Sequence, residues 1–300
     1  MSAHSPLTSA ASAGPASGPA RIVIAGAGPA AQALIGQLNR GRFYGTVTVL
    51  SNRDDAPAAL LDLATLSQVS LRFGQPASFV DAAARTVSTA DGMEFGYDHL
   101  VIATGSAPEE APVEGAGHCL IYSTIDDAGR IGEAVRDLTR ELGRRPLGIL
   151  VGTGTAAGQA EAVLRARGVR PIRTTLRPAR VKPPVAGPGP NAAGIVFADG
   201  STMNADIVVL AEERVSRDGL AASAGLATAP GGGIAVGQDF RTSVPGIWAI
   251  GDAAAFDGVR LGLLVAAASA AGACAAQLMT AVSAAEGMAA GVRERVAAAA

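Results

Sequence analysis

A pair of glycines set between a β-branched run and an alanine-rich helix constrains this chain more than any other feature. From Arg21 the sequence reads RIVIAGAGPAAQALIGQLNRGRFYGTVTVL. That is a short strand, a turn, a helix and a second β-branched run ending at Leu50, which together predict one βαβ unit. Gly26, Gly28 and Ala31 take the three positions of a G-x-G-x-x-G/A turn. In that setting the first glycine allows the sharp turn, the second lets the backbone approach a pyrophosphate, and a small third residue keeps the helix close to the sheet. The helix opens at Pro29 and Ala30, and its amino terminus adds unpaired N–H groups and roughly half a positive charge. A tight βα turn with no ligand is the plainer alternative.

The rest of the chain repeats the pattern less completely. A helix-like patch at Ala59 to Leu66, a strand at Val69 to Phe73, a hairpin from Ala77 to Tyr97 turning at Asp91-Gly92, and an apolar strand from His99 to Thr104 are expected. After a helix over Arg130 to Gly143, LGILVGTGTAAGQAEAVLRARGVRPI repeats strand, glycine turn, helix and strand. Arg177 to Asn191 is Pro-, Gly- and Arg-rich and reads as a linker, followed by strands at Gly194 to Asp199 and Asp206 to Ala211. Near the end, Gly251-Asp252 follows the apolar strand Ile247 to Ile250 and precedes an uncharged helix. A carboxylate there either accepts a hydrogen bond from a ligand hydroxyl or caps the helix.

Composition narrows the function classes. At 300 residues a chain buries about 75% of its unfolded surface, enough for one large α/β domain or two modest ones. A net charge of −2 supplies no basic field for nucleic acid. Cys119 and Cys274 form neither a C-x-x-C pair nor a metal cluster, and a reduced, cytoplasmic setting fits them. His4, His99 and His118 suggest no triad or metal site. Residues 1 to 20, rich in Ala, Ser, Gly and Pro, read as a disordered tail rather than a signal or transit peptide. Leu261 to Ala285 carries no charge and is long enough to span a bilayer, but its alanine, serine and glycine content favours a buried helix over a membrane span.

With these residues in order, the chain resembles the FAD/NAD(P)-dependent pyridine nucleotide oxidoreductases, particularly the branch of nitrite reductase flavoprotein modules and rubredoxin or ferredoxin reductases. The resemblance rests on GAGPAA at Gly26, YDHLVIATGSAP from Tyr97 to Pro108, the second glycine turn at Gly152, and FRTSVPGIWAIGDAA from Phe240 to Ala254, spanning most of residues 21 to 255. It implies an α/β fold of two Rossmann-like domains: a discontinuous FAD domain over 21–115 and 235–285, an inserted and shortened NAD(P)-type domain over 116–234, and a short tail from 286. It implies that Gly26, Gly28 and Ala31 hold the FAD pyrophosphate and that Thr104-Gly105 is the crossover beside FAD. It also implies that Asp252, after Gly251, binds the ribityl chain, and that the following helix points its amino end at the flavin, where its dipole stabilises the reduced form.

The departures are as informative. The acid expected about 20 residues past the glycines, on a ribose hydroxyl, is replaced by Asn52, with Asp54 or Asp55 as substitutes. In the second unit Gly152, Gly154 and Ala157 meet the fingerprint, so NAD(P)H is the natural ligand. Arg173, Arg177 and Arg180 tilt it slightly toward NADPH, or are solvated linker charges. Gln159 stands where the family carries glutamate, and the segment between the second unit and the following hairpin lacks a helix and strand. The family's C-terminal interface domain is not expected, the YDR loop is absent from Asp55 to Leu66, and no cysteine pair follows either unit for disulfide chemistry. The expected activity is transfer of electrons from NAD(P)H through FAD to a small acceptor or a redox protein such as rubredoxin, ferredoxin or a nitrite or nitrate reductase component. No side chain stands out as an obligatory acid or base. A flavin-binding accessory protein with a degenerate nicotinamide site, and a scaffold binding no flavin, are the alternatives.

Overall fold

The computed structural model describes residues 18–54, 58–110, 112–182 and 193–299. Most of the expected tail, Asp55 and the 183–191 part of the expected linker lie outside them. The chain opens with β1 (Arg21–Ala25), α1 (Pro29–Arg40), β2 (Thr46–Leu50), α2 (Ala58–Ala64) and β3 (Val69–Arg72). Next come β4 (Ala77–Asp81), β5 (Thr86–Thr89) and β6 (Glu94–Gly96), an antiparallel meander. The expected single hairpin is therefore three strands. Asp81 Oδ1 accepts a hydrogen bond from Ala84 N at 2.8 Å and Arg85 adopts φ +54°, which builds a second turn ahead of the one at Asp91-Gly92.

After β7 (His99–Ile102) and β8 (Ser106–Pro108) the chain enters a second unit: β9 (Leu120–Tyr122), α3 (Asp127–Leu142), β10 (Gly148–Val151), α4 (Gly154–Ala166), β11 (Pro171–Thr174), β12 (Pro178–Lys182), β13 (Ala193–Phe197), β14 (Thr202–Ala205) and β15 (Ile207–Ala211). It returns through β16 (Arg214–Ser216), α5 (Leu220–Ala224), β17 (Ile234–Ala235), β18 (Ile247–Ala249), β19 (Ala254–Phe256), β20 (Val259–Arg260) and α6 (Ala267–Ala299).

Two parallel sheets organise these elements, in the orders β18-β7-β1-β2-β3 and β11-β10-β15-β9. Their central strands β1, β7, β10 and β15 are buried on both faces, which is why these read as continuous apolar runs, whereas the edge strands β3 and β11 are partly exposed. In the second sheet the period of two is visible in the packing. Leu150 and Val209 face the helical core of Ile131, Val135, Ala157 and Leu164, whereas Ile149, Val151, Val208 and Leu210 face Val181, Ile195 and Phe197 of the β12-β13-β14 sheet. The fold is thus α/β with two dinucleotide-binding-type units, the second inserted into the first.

Four sequence expectations are corrected. β12 forms inside the presumed linker, because Pro178 stands at the strand's first position, where its missing N–H is tolerated, and Val181 is fully buried. Leu220, Ala221, Ala224, Leu226 and Ile234 join the core of the first unit, so the return to that unit comes before residue 235. The uncharged helix does not follow Asp252 directly. Asp257 (φ +48°) and Gly258 (φ +77°) turn a β19–β20 hairpin, a short 3₁₀ turn over Leu261–Leu263 follows, and only then does α6 begin. Finally, α6 continues to Ala299 instead of ending near Ala285.

α6 lies on α1, and its alanine content explains how. Ala270, Ala271, Cys274, Ala275 and Leu278 share one core with Leu34, Ile35 and Leu38. The backbones approach closely enough that a side chain at Gly41 would meet Met279 Sδ at 2.5 Å, and one at Gly272 would meet Gln37 at 3.4 Å. Truncating the buried Leu278 to alanine should cost about 2–5 kcal/mol. Residues 267–292 are long and apolar enough to cross a membrane, with a mean hydropathy of 1.2, and one face of this stretch is buried against α1.

Candidate functional site

The register of the first sheet decides where its loops emerge. Ile102 of β7 pairs with Ala25 of β1 on one side and with Ala249 of β18 on the other, so both neighbours end level at the same sheet edge. Gly26–Ala31 and Gly251-Asp252 therefore open onto the carboxyl edge of the sheet, where open α/β sheets bind their ligands. Gly251 adopts φ +65°, and a Cβ on it would lie 3.0 Å from that of Ala30, so the two motifs touch.

The first turn has the geometry of an anion seat. Gly26 sits at φ +114° with its N–H donated to Leu50 O at 2.8 Å, and a Cβ there would overlap the Ala103 carbonyl. Gly28, in contrast, is extended (φ −76°, ψ −177°) and nothing lies within 4 Å of its Cβ position. It stands as the helix N-cap with no side-chain hydrogen bond to the first turn, and Pro29 follows. Ala31 is fully buried between helix and sheet. A pyrophosphate fits this cradle: a free helix terminus, open space, and a backbone it can approach closely. Asn52 is exposed just past β2, with Asp54 nearby. Thr104 and Gly105 follow β7 and are tied to the returning chain, with Thr104 Oγ1 donating to Arg217 O at 2.5 Å and Arg217 N to Gly105 O at 2.8 Å.

Asp252 is held differently from what the resemblance implies. Its Oδ2 accepts the Ser106 hydroxyl at 2.7 Å and pairs with Arg260 Nη1 at 2.6 Å, with the two side chains only 13% and 9% exposed. Its Oδ1 is buried against Gly262 without a hydrogen-bond partner among the described residues. A ribityl hydroxyl would satisfy that orphaned oxygen but has no open path to it while residues 261–263 stay where they are. Nor is Asp252 the cap of α6. Asp126 does that, accepting from Ala267 N at 3.0 Å, so a carboxylate already faces the helix end expected to serve the flavin.

Arg260 is the centre of a junction between the units. Its Nη2 donates to Ser123 O at 2.7 Å, just past β9. Beside it, Ile125 N donates to Gly262 O at 2.9 Å and Gln159 Nε2 to Leu263 O at 2.8 Å. Burial alone would raise the pKa of Asp127, but hydrogen bonds from the backbone of Ser123 and Thr124 and from Arg130 hold it below the ordinary carboxylate range. The Ser123 loop is thereby fixed. On the other side Arg214 Nε donates to Ser106 Oγ at 2.8 Å while the Arg214 guanidinium pairs with Glu212. Ser106, Arg214, Glu213 and Arg260 were not singled out from sequence. The charged residue immediately before an uncharged stretch was the available signal for Arg260.

The second glycine turn is the less open of the two. Gly152 (φ +138°) passes so close to β15 that a Cβ would sit 2.7 Å from Ala211 O, and Ala157 is fully buried. Gly154 (φ +64°) faces Glu213, whose Oε1 lies 2.6 Å from the glycine's Cβ position. Gln159 Oε1 accepts the Tyr122 hydroxyl at 3.1 Å. Arg173 is paired with Glu161 at 3.2 Å and Arg177 with Glu110 at 3.5 Å.

Known proteins share this fold. The chain is 30% identical over 232 residues to the nitrite reductase (NAD(P)H) large subunit of Klebsiella oxytoca, covering 68% of this chain and 24% of that protein, so it spans about a quarter of that relative's length. It is 28% identical over 276 residues to the probable ferredoxin reductase CtmF of Castellaniella defragrans, covering 77% of this chain and 67% of that one. The crystal structure of HlmI superposes with a TM-score of 0.59 at 22% identity, covering 94% of this chain and 98% of the other, and shows the same fold. The signature described as pyridine nucleotide-disulphide oxidoreductase matches residues 20–170 and again 153–286. With that signature running over both glycine turns, this chain belongs to the pyridine nucleotide-disulphide oxidoreductase family.

Proposed function

We propose that the chain is an FAD-dependent oxidoreductase that takes a hydride from NAD(P)H and delivers electrons to a redox protein or a small acceptor. The observation that carries this reading is the level ending of β1 and β18 on either side of Ile102, with Gly251 against Ala30. That geometry supports placing the pyrophosphate and the flavin end of one extended ligand along a single sheet edge. Gly26, Gly28, Pro29, Ala30 and Ala31 would hold the pyrophosphate, Asn52 the adenosine ribose, and Thr104, Gly105, Gly251 and Asp252 the flavin half. Bound there, FAD supplies hydride and one-electron chemistry. The protein orients it, and Arg260 brings a buried positive charge to the junction. For Asp252 to serve the ribityl chain, residues 261–263 must yield.

Gly152, Gly154 and Ala157 would hold the nicotinamide nucleotide. Arg180, beyond β11, supports NADPH, while the pairing of Arg173 and Arg177 with acids weakens that preference. Dithiol exchange is not proposed. Burial pushes the Cys119 thiol up to about 11 and the Cys274 thiol up to about 12, and the two pack in different cores. The names of the relatives support a ferredoxin-type protein or a nitrite reductase component as acceptor, the family resemblance adds a rubredoxin-type protein or a nitrate reductase component, and a cytoplasmic location suits such a partner.

Glu213 against Gly154 favours a second reading, a flavin-binding accessory protein with little turnover. An absorbance spectrum before and after anaerobic addition of NADH or NADPH tests both. Flavin bands that bleach rapidly, with turnover against ferricyanide, are expected for the enzyme. Bands that persist leave the accessory protein, and a colourless protein that takes up no FAD removes both.

A further inference from the structure

The second glycine turn already holds a negative charge, and the charge belongs to the chain itself. Gly152 lies so near Ala211 O that the segment leaving β15 is delivered over the turn, and Glu213 lies on that segment. Its Oε1 stands 2.6 Å from the Cβ position of Gly154, the first residue of α4. Thr153, the N-cap residue, makes no side-chain hydrogen bond to the helix end. The Glu213 backbone carbonyl accepts from Glu109 N at 3.0 Å, but among the described residues its carboxylate has neither a hydrogen bond nor an ion pair, whereas its neighbour Glu212 is paired with Arg214. The closest arginine on β11, Arg173, is committed to Glu161. A carboxylate near a helix amino terminus is favourable, but a pyrophosphate reaching the N–H groups of that end needs the same place.

We propose that Glu213 sets the affinity of this chain for nicotinamide dinucleotides: its carboxylate occupies the pyrophosphate's place at the start of α4, and a nucleotide binds by displacing it. Glu213 is exposed on a flexible side chain, so it swings away at a cost instead of blocking the turn outright. The cost is loss of its own place at the helix end plus repulsion of a dianion by a nearby charge, which together weaken binding about tenfold or more. This inference rests on the nicotinamide half of the reading above.

The test is calorimetric titration of the purified protein and its Glu213→Gln variant with NADH, NADPH and ADP-ribose. The variant should bind all three at least about tenfold more tightly, and the difference should shrink between about 20 and about 500 mM salt as the repulsion is screened. Glu213→Ala, with melting curves for both variants, guards against a folding artefact. Equal or weaker binding by a folded Glu213→Gln variant, while the unaltered protein binds, overturns the role of Glu213 alone. If neither protein binds any of the three at millimolar concentration, the nicotinamide reading itself falls, and Glu213's role with it.

Discussion

Replacing Gly28 by alanine separates a ligand-driven glycine from a fold-driven one. Gly28 is extended, in a region open to any residue, and no atom lies within 4 Å of its Cβ position. The substitution loses about 1 kcal/mol of N-cap preference and recovers about 0.4–1 kcal/mol through the reduced entropy of the unfolded chain. The apoprotein melting temperature should therefore move by no more than about 2 °C. FAD affinity should not be spared. A methyl in the space left for the pyrophosphate removes at least one charge-assisted N–H bond, about 1.5–3 kcal/mol or roughly 10- to 150-fold in Kd. Gly26→Ala should behave in the opposite way. At φ +114°, with a Cβ overlapping the Ala103 carbonyl and 2.6 Å from its carbon, it combines backbone strain with overpacking at the end of β7 and should cost about 4 kcal/mol before any ligand is added. Apoprotein melting curves and flavin fluorescence quenching read the two effects independently. A Gly28→Ala protein that binds FAD within twofold of the unaltered chain would refute the assignment of that cradle to a pyrophosphate.

Burial holds the pKa of His99 below its ordinary 6.5, so between that lowered value and 6.5 the folded chain binds fewer protons than the unfolded one. Its stability should be intact above pH 6.5 and decline as pH falls through that window. Urea midpoints across the window should show this slope, and His99→Phe, which keeps the ring beside Trp248, should flatten it. Arg260→Leu leaves the Asp252 carboxylate buried without its cation and should cost about 3 kcal/mol, partly recovered by adding Asp252→Asn. A fall in melting temperature of less than about 2 °C would show that the pair is not buried in solution. Asp206→Asn breaks the two-bond pairing with Arg144, at 2.7 and 3.0 Å, and should lower stability by about 2 kcal/mol, read from the denaturant midpoint at pH 7.

Elements whose signal is carried by neighbours in the chain were legible before any coordinates. The strand, turn and helix around Gly26, the repeat around Gly152 and the apolar strand before Gly251 follow from hydrophobic periodicity and turn chemistry alone. The β19–β20 hairpin was legible in principle, since Asp257-Gly258 is a strong turn pair, but the uncharged run beyond it drew the helix forward. β12 was hidden by Pro178 and the Pro- and Gly-rich sequence after it, because a segment with little local preference becomes a strand only when it pairs with a neighbour such as β13.

What the sequence by itself determined is the fold class and the two glycine turns, because backbone conformation at Gly26 and Gly152 and the periods of two and 3.6 are local properties of the chain. What only the tertiary structure decided is how the charges of the site are paired and placed. Arg260 closing on Asp252, Asp126 capping α6 and Glu213 lying over Gly154 each join residues from different elements, which the order of sheet strands brings together. Pairing and desolvation depend on distances of a few ångströms across such junctions, and no local pattern encodes them.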